Sequence, residues 1–236
     1  MKSISLALAV ALVFVAAKAG DIVPRDGDYL SEIYLTVLEK TKSHHKAYQA
    51  WRGSAPQAIR VSRDGRGLVL SLGYNWHEGD EAVFNVQKPS IQVDVAEFHK
   101  KTLIPLDTVR FRFKDGDGPV LDYRYIGDEQ TFLMEKLLVG AYADSRGRTY
   151  MFDRDGKARF SDRTFHYEIY TDMVFEDGDE FVDRDASKPD AWKIYGFARR
   201  ANQLFLYNAV CDDTRAGCAT DRKHPIAVLR KVKPAR

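Results

Sequence analysis

The sequence predicts a mainly β protein: an antiparallel β-barrel of about a dozen short strands, with an N-terminal amphipathic helix packed against it. From Ile59 onward, short alternating apolar and polar runs are separated by Asp-Gly or Gly turns, which is typical of strands joined as hairpins. Aromatic residues make up 12% of the chain, enough for a sizeable core. Closing such a sheet removes its exposed edges, so a barrel is favoured and a β-sandwich is the alternative.

The first nineteen residues predict a cleavable export signal. Lys2 supplies a positive start, Leu6 to Ala17 is an unbroken apolar run, and Ala17-Lys18-Ala19 is an A-x-A cleavage site. We therefore expect a mature chain that begins at Gly20 and is periplasmic or secreted. The apolar run is shorter than the roughly 20 residues of a membrane span, and no later stretch is longer, so no transmembrane segment is expected. An uncleaved signal anchor is the alternative.

The charge balance bears on possible partners. The chain has 36 Lys and Arg against 34 Asp and Glu, and removal of Lys2 and Lys18 with the signal leaves a neutral mature protein. A neutral chain argues against nucleic acid as a partner, because phosphate binding needs a basic excess. The charges are uneven, with an acidic stretch over 172–190 and a basic tail over 222–236. These are either solvated segments or surfaces that steer a charged partner.

Two cysteines, Cys211 and Cys218, lie close together in CDDTRAGC. In an oxidising compartment such a pair predicts a structural disulfide. A redox pair or half of a metal site is the alternative, although six intervening residues do not make a C-x-x-C motif and no second cysteine pair exists.

Residues 28–52 predict the N-terminal helix, within a helical segment over 20–56. The apolar residues have helical spacing: Leu30, Ile33, Tyr34, Val37 and Leu38. Asp28 is the expected N-cap and Gly53 follows the expected end, while Lys42-Ser43 offers a point where the helix could break in two.

The remaining chain, 57–236, is expected to form the barrel, with a division into two sub-units near 127–137 as an option. Hairpins are predicted over 59–72, 109–126 and 149–160, further strands over 165–170, 192–198, 204–210 and 225–231, and a short helix running into a strand over 132–140.

The stretch 138–210 resembles the strand meander of small lipocalin-like, or calycin-like, secreted bacterial domains. The shared positions are Gly140, Tyr142, Tyr150, Phe152, Asp155, Gly156, Ala158, Phe160, Tyr167, Ile169 and Leu204 to Tyr207. The resemblance covers about a third of the chain, and Tyr142 stands where true lipocalins have the Trp of their Gly-x-Trp signature. It implies a barrel or half-barrel and leaves the ligand open.

The densest polar and aromatic cluster is YNWHEGDE over 74–81. It predicts a ligand-binding loop at a barrel mouth, formed by Tyr74, Trp76, His77 and Glu78. His77 could instead act as a general base or metal ligand beside Glu78, or the loop could simply fold Trp76 over the core.

Other chemistry-bearing patterns are weaker. The acidic run over 175–185 offers oxygen ligands for calcium but lacks EF-hand spacing. The six histidines do not form an H-E-x-x-H pair, and no nucleophile elbow, P-loop or dinucleotide fingerprint is present. No catalytic residue, metal site or cofactor is therefore predicted.

Together these observations predict an exported, non-enzymatic β-barrel that binds a small apolar molecule. The alternative is a periplasmic inhibitor or immunity protein whose partner is an envelope protein, namely a cell-wall-degrading enzyme. In that version the acidic run 176–185 would meet the basic cleft of the hydrolase.

Overall fold

The fold is known from a computed structural model, which describes residues 22–51, 53, 55–65, 67–74, 79–84, 91–94, 100–171, 178–184, 193–211 and 218–232. The predicted signal peptide, 1–19, lies outside the described residues. The protein is mainly β, and its strands form two antiparallel sheets.

The first sheet has eight strands and curves into a half-barrel. In the chain they are β1 (Gly27–Ser31), β2 (Ala58–Asp64), β3 (Gly67–Gly73), β4 (Gly79–Phe84), β5 (Ile91–Asp94), β6 (Lys100–Pro105), β7 (Arg110–Asp115) and β8 (Val120–Gly127). Their spatial order is β4-β3-β2-β1-β8-β7-β6-β5, so the first strand lies at the centre and pairs with the last. Tyr29, Phe111 and Tyr123 are among the buried side chains of its core.

Two helices follow β1: α1 (Glu32–Thr41) and α2 (His44–Trp51). The Ser31 hydroxyl accepts the Tyr34 N–H and caps α1. Lys42, in the left-handed conformation at φ 53°, ends it. The expected helix over 28–52 is therefore a strand followed by two helices, divided at the Lys42-Ser43 break. Asp28 does not cap α1, because it lies in β1, where it binds Arg60 and accepts the Glu129 N–H at the start of the later helix over Glu129–Leu137.

The second sheet follows α3 (Glu129–Leu137) and contains a closed barrel. Its strands are β9 (Gly140–Ala143), β10 (Thr149–Phe152), β11 (Lys157–Arg159), β12 (Thr164–Tyr170), β13 (Asp179–Arg184), β14 (Lys193–Arg200), β15 (Gln203–Cys211), β16 (Cys218–Thr220) and β17 (Ala227–Val232). Eight of them form the ring β9-β10-β11-β12-β13-β14-β15-β17, and β17 pairs with β9 to close it. The single barrel expected over 57–236 is thus replaced by a half-barrel and a separate closed barrel.

The interior of the closed barrel is filled by its own aromatic side chains. Successive residues of a strand point to opposite faces, and the inward positions of these strands carry large rings. Five of these rings are at most 1% exposed: Tyr142, Phe152, Tyr167, Phe181 and Phe197. Phe152 lies edge-on to Tyr167 and to Phe181, with ring centroids 5.2 and 5.6 Å apart. A ligand of this barrel would therefore bind at one of its ends or on its outside.

Helices close one end of the barrel. Gln130 of α3 exchanges two hydrogen bonds with the Ile169 backbone of β12, at 3.0 and 3.1 Å. The His45 N–H of α2 donates to the Asp179 carboxylate at the start of β13, over 2.9 Å. Leu38 and Trp51 belong to the same buried cluster as the barrel interior. Among the described residues, no helix covers the opposite end of the barrel.

A short outer layer covers part of the barrel wall. Residues Cys218–Thr220 form β16, paired with the end of β15 so that Cys211 and Cys218 lie directly opposite each other. Thr220 packs against the outward face of Gly196, and its hydroxyl donates to Glu180 over 2.5 Å. The disulfide stays a prediction that the backbone register favours, since opposed residues of neighbouring strands have closely spaced Cβ atoms.

Within the described residues, no helix has the length and apolar character needed to cross a bilayer.

Candidate ligand-binding mouth of the closed barrel

Only one of the four predicted ligand-binding residues falls among the described residues. Tyr74 lies at the end of β3 in the first sheet, and its hydroxyl donates to the Asp115 carboxylate, which also binds the buried Lys101 ammonium at 3.1 Å. Burial and the Asp115 carboxylate raise the pKa of Tyr74 to about 12. Its hydroxyl is therefore tied into a structural network, while Trp76, His77 and Glu78 lie outside the described residues.

The acidic run is not a solvated loop where the structure describes it. Asp179, Glu180 and Asp183 are all in β13 and are at most 6% exposed. Asp179 accepts from α2, Glu180 from Thr220 and Asp183 from Arg163. These three carboxylates are committed to internal partners, so they are not available to the basic cleft of an enzyme.

The end of the barrel opposite the helices contains a cavity of about 450 Å³ that is lined by described residues. The β9–β10 and β11–β12 turns lie at this end, as do the ends of β14 and β15. Residues 185–192 and 212–217 lie outside the described residues. We call this cavity the mouth; it is lined by Arg148, Tyr150, Phe160, Ser161, Asp162, Arg163, Lys193, Tyr195, Leu206, Asn208, Ile226 and Ala227.

Aromatic rings form the floor of the mouth. Phe160 lies edge-on to Tyr150 and to Phe165, with ring centroids 5.0 Å apart in both pairs. Tyr195 stacks on Phe181 at 5.1 Å, which joins the floor to the packed interior. These rings are fixed by strands on several sides, so the floor is preorganised for a flat apolar group.

Cations stand above this floor. The Arg163 guanidinium lies 4.5 Å from the Phe165 ring centroid and 5.5 Å from that of Tyr195, and it binds Asp183 at 2.7 Å. The Lys193 ammonium lies 5.0 Å from the Tyr195 centroid. Since Arg163 is paired with Asp183, Lys193 is the cation here that has no carboxylate partner among the described residues.

The mouth has the volume and the mixed lining of a small-molecule pocket. Pockets for small molecules are commonly 300–1,000 Å³ in volume and mix apolar walls with a few convergent polar groups, as the mouth does. No set of three or more His, Cys, Asp or Glu side chains is arranged to hold a metal ion in the part of the chain that the structure describes.

Sequence reasoning missed the polar residues of this mouth. Arg148 and Arg163 come from two different turns and Lys193 from the start of a strand 30 residues further on, so no local motif joins them. Two residues of the apolar floor, Tyr150 and Phe160, were identified from the sequence, because they belong to the pattern that resembles a lipocalin-like meander. The inward alternation of aromatic residues was the available signal, and it pointed to the barrel without marking the mouth.

Comparisons of the chain with protein-family models, with curated proteins and with solved structures found no match. The lipocalin-like resemblance therefore stays a prediction.

Proposed function

We propose that this is an exported, non-enzymatic binding protein that holds a small amphiphilic anion at the mouth of its closed barrel. The ligand has a flat or otherwise apolar body that rests on the aromatic floor, and an acidic group that faces the cations of the rim. The observation that carries the proposal is the position of Arg163 and Lys193 above the rings of Phe165 and Tyr195.

Two features of the fold support this site over the rest of the barrel. The interior is filled with aromatic side chains, and the opposite end is covered by α1, α2 and α3. The expected small apolar ligand is accordingly proposed to bind at the mouth and to carry a charge. Export is proposed from the N-terminal signal pattern alone.

The inhibitor alternative receives less support. Its proposed contact was the acidic run 176–185, and three carboxylates of that run are buried with internal partners. An inhibitor of a cell-wall-degrading enzyme would need a different surface of this protein.

The experiment is a fluorescence titration of the folded protein with 8-anilinonaphthalene-1-sulfonate, an aromatic anion that becomes bright when it leaves water. Asn208→Trp should fill the mouth, because Asn208 is exposed at the rim and lies directly opposite Tyr195 in the neighbouring strand. Asn202→Trp is the matched control, since Asn202 is an exposed residue of the β14–β15 turn and does not line the mouth.

We expect saturable binding by the wild type and by Asn202→Trp, and at least a tenfold weaker affinity for Asn208→Trp at an unchanged melting temperature. Equal binding by all three proteins, or no saturable binding by the native wild type, would overturn the proposal.

A further inference from the structure

We propose that the ligand carries a phosphate group and that a groove lined by Arg146, Arg148 and Arg230 binds this phosphate. We call this feature the arginine groove. The inference rests on the proposed function, because it assigns the chemical class of the acidic group and the place where that group binds.

The arginine groove lies on the outside of the barrel, immediately beside the mouth. Its volume is about 800 Å³, and Gln203 and Val228 help to line it. Arg230 projects from β17, directly opposite Ala143 at the end of β9. Arg146 and Arg148 belong to the turn that follows β9, so the pairing of β9 with β17 brings all three arginines to one place.

The turn that carries two of these arginines is held in a defined shape. The Asp144 carboxylate accepts the backbone N–H groups of Arg146 and Arg148, both over 2.9 Å. Gly147 takes a left-handed conformation at φ 77°, which a side chain would strain. The Arg148 guanidinium also binds Asp144, at 2.7 Å from its Nε. The two guanidinium groups are thus presented by a fixed loop.

Charge in the groove is unbalanced. Among the described residues, neither Arg146 nor Arg230 has a carboxylate within 4 Å of its guanidinium, and Arg148 shares the single carboxylate of Asp144. Both unpaired arginines are exposed. A guanidinium presents a flat fork of N–H donors that fits two oxygens of one phosphate, so converging arginines are suited to this group.

The groove and the mouth are continuous. Arg148, Ile226 and Ala227 line both. One molecule can therefore place its apolar body on the aromatic floor and its phosphate among the arginines. Such a ligand is a phosphate ester of an aromatic or lipid-like alcohol, and its phosphate could belong to a free metabolite or to a membrane lipid headgroup.

The test compares two probes of the same body, 2-naphthyl phosphate and 2-naphthol, by isothermal titration calorimetry. Charge-assisted hydrogen bonds make the expected preference of the wild type for the phosphate about tenfold or more. In Arg146→Gln/Arg230→Gln the preference should fall to within about threefold, while 2-naphthol binds as before. The control is Arg112→Gln/Arg154→Gln, which removes the same charge from two exposed arginines outside the groove and should keep the wild-type preference.

Sedimentation with vesicles then distinguishes the source of the phosphate. Pelleting with phosphatidylglycerol but not phosphatidylcholine vesicles, lost in Arg146→Gln/Arg230→Gln, assigns the groove to a lipid headgroup. Absence of pelleting, together with a preference for 2-naphthyl phosphate, assigns it to a free phosphate ester.

Two results would overturn the inference, and they differ from the failure of the proposed function. Equal affinity of the wild type for both probes would contradict a phosphate site, while the mouth would still be a binding site. If Arg146→Gln/Arg230→Gln keeps the wild-type preference for 2-naphthyl phosphate over 2-naphthol, the arginine groove is not the phosphate site. If neither probe binds, the proposed function itself fails.

Discussion

Substitution of Gly196 should detach the outer strand β16 from the barrel wall. A Cβ atom on Gly196 would lie 2.1 Å from Cγ2 of Thr220 and 2.8 Å from its Oγ1. Carbon atoms pack comfortably at about 3.5–4.0 Å, so Thr220 must move by more than 1 Å. Such a shift breaks the 2.5 Å hydrogen bond from the Thr220 hydroxyl to the buried Glu180 carboxylate.

The size of the effect follows from these contacts. A hydrogen bond to a charged group contributes about 1.5–3 kcal/mol, and overpacking alone costs about 1–3 kcal/mol. Replacing glycine with alanine also lowers the conformational entropy of the unfolded chain, which stabilises the fold by about 0.4–1 kcal/mol. We therefore expect Gly196→Ala to lower the free energy of unfolding by about 1.5–5.5 kcal/mol.

Urea unfolding followed by circular dichroism measures this change, and amide hydrogen exchange at Asp221 locates it, since the Asp221 N–H donates to the Asn208 carbonyl at 3.1 Å. Gly73→Ala is the control, because a Cβ there meets nothing closer than 3.6 Å. Thr220→Ser removes the clashing methyl group and should recover at least about 1 kcal/mol in a double-mutant cycle with Gly196→Ala. If Gly196→Ala is as stable as the wild type and Asp221 exchanges no faster, the packing of β16 on this wall is wrong.

Three further outcomes are expected. Joint replacement of Cys211 and Cys218 by serine should destabilise the protein by about 2.5 kcal/mol through the loss of an eight-residue loop closure, and an unchanged urea midpoint would contradict the disulfide. Lys101→Met should lower the free energy of unfolding by about 3–5 kcal/mol, because the Asp115 carboxylate loses its cationic partner. Adding Asp115→Asn should recover part of that loss in the same urea unfolding assay. Burial lowers the pKa of His44 to about 3, below its unfolded value of 6.5. The unfolded state therefore binds the proton more tightly, and the free energy of unfolding decreases as the pH falls from 6.5 towards 3. His44→Leu should flatten this decline by up to about 1.4 kcal/mol per pH unit, and an identical slope in both proteins would refute the assignment.

Local sequence signals predicted the hairpins well. The hairpin expected over 59–72 is β2 and β3, that over 109–126 is β7 and β8, and that over 149–160 is β10 and β11. Gly-containing turns set these pairings between neighbours in the chain. The short helix expected over 132–140 is confirmed as α3 followed by β9.

Long-range pairing was not predictable in the same way. The first strand pairs with both β2 and β8, and its partner residues in β8 lie almost a hundred positions further along the chain. No local pattern specifies such a partner, so the sequence left open whether residues 57–236 form one barrel or two sub-units.

The burial of the acidic residues in β13 could not be predicted from the sequence for a related reason. Alternation distinguishes two faces of a strand, and acidic residues on one of them suggest exposure to solvent. Glu180 faces outward, yet β16 covers it, and Asp179 and Asp183 face inward towards α2 and Arg163. Each partner lies at least 20 residues away, which is why these carboxylates resembled a solvated loop.

Closure of the barrel by β17 has a consequence for the order in which the chain can fold. During synthesis from the N-terminus, β9 and β15 are made before their shared neighbour β17, and among the described residues it is β17 that pairs with both edges. Until that segment arrives, two rows of backbone donors and acceptors are free to pair with another chain. A truncation that removes only this last strand would therefore convert a closed, self-contained domain into one prone to edge-to-edge assembly.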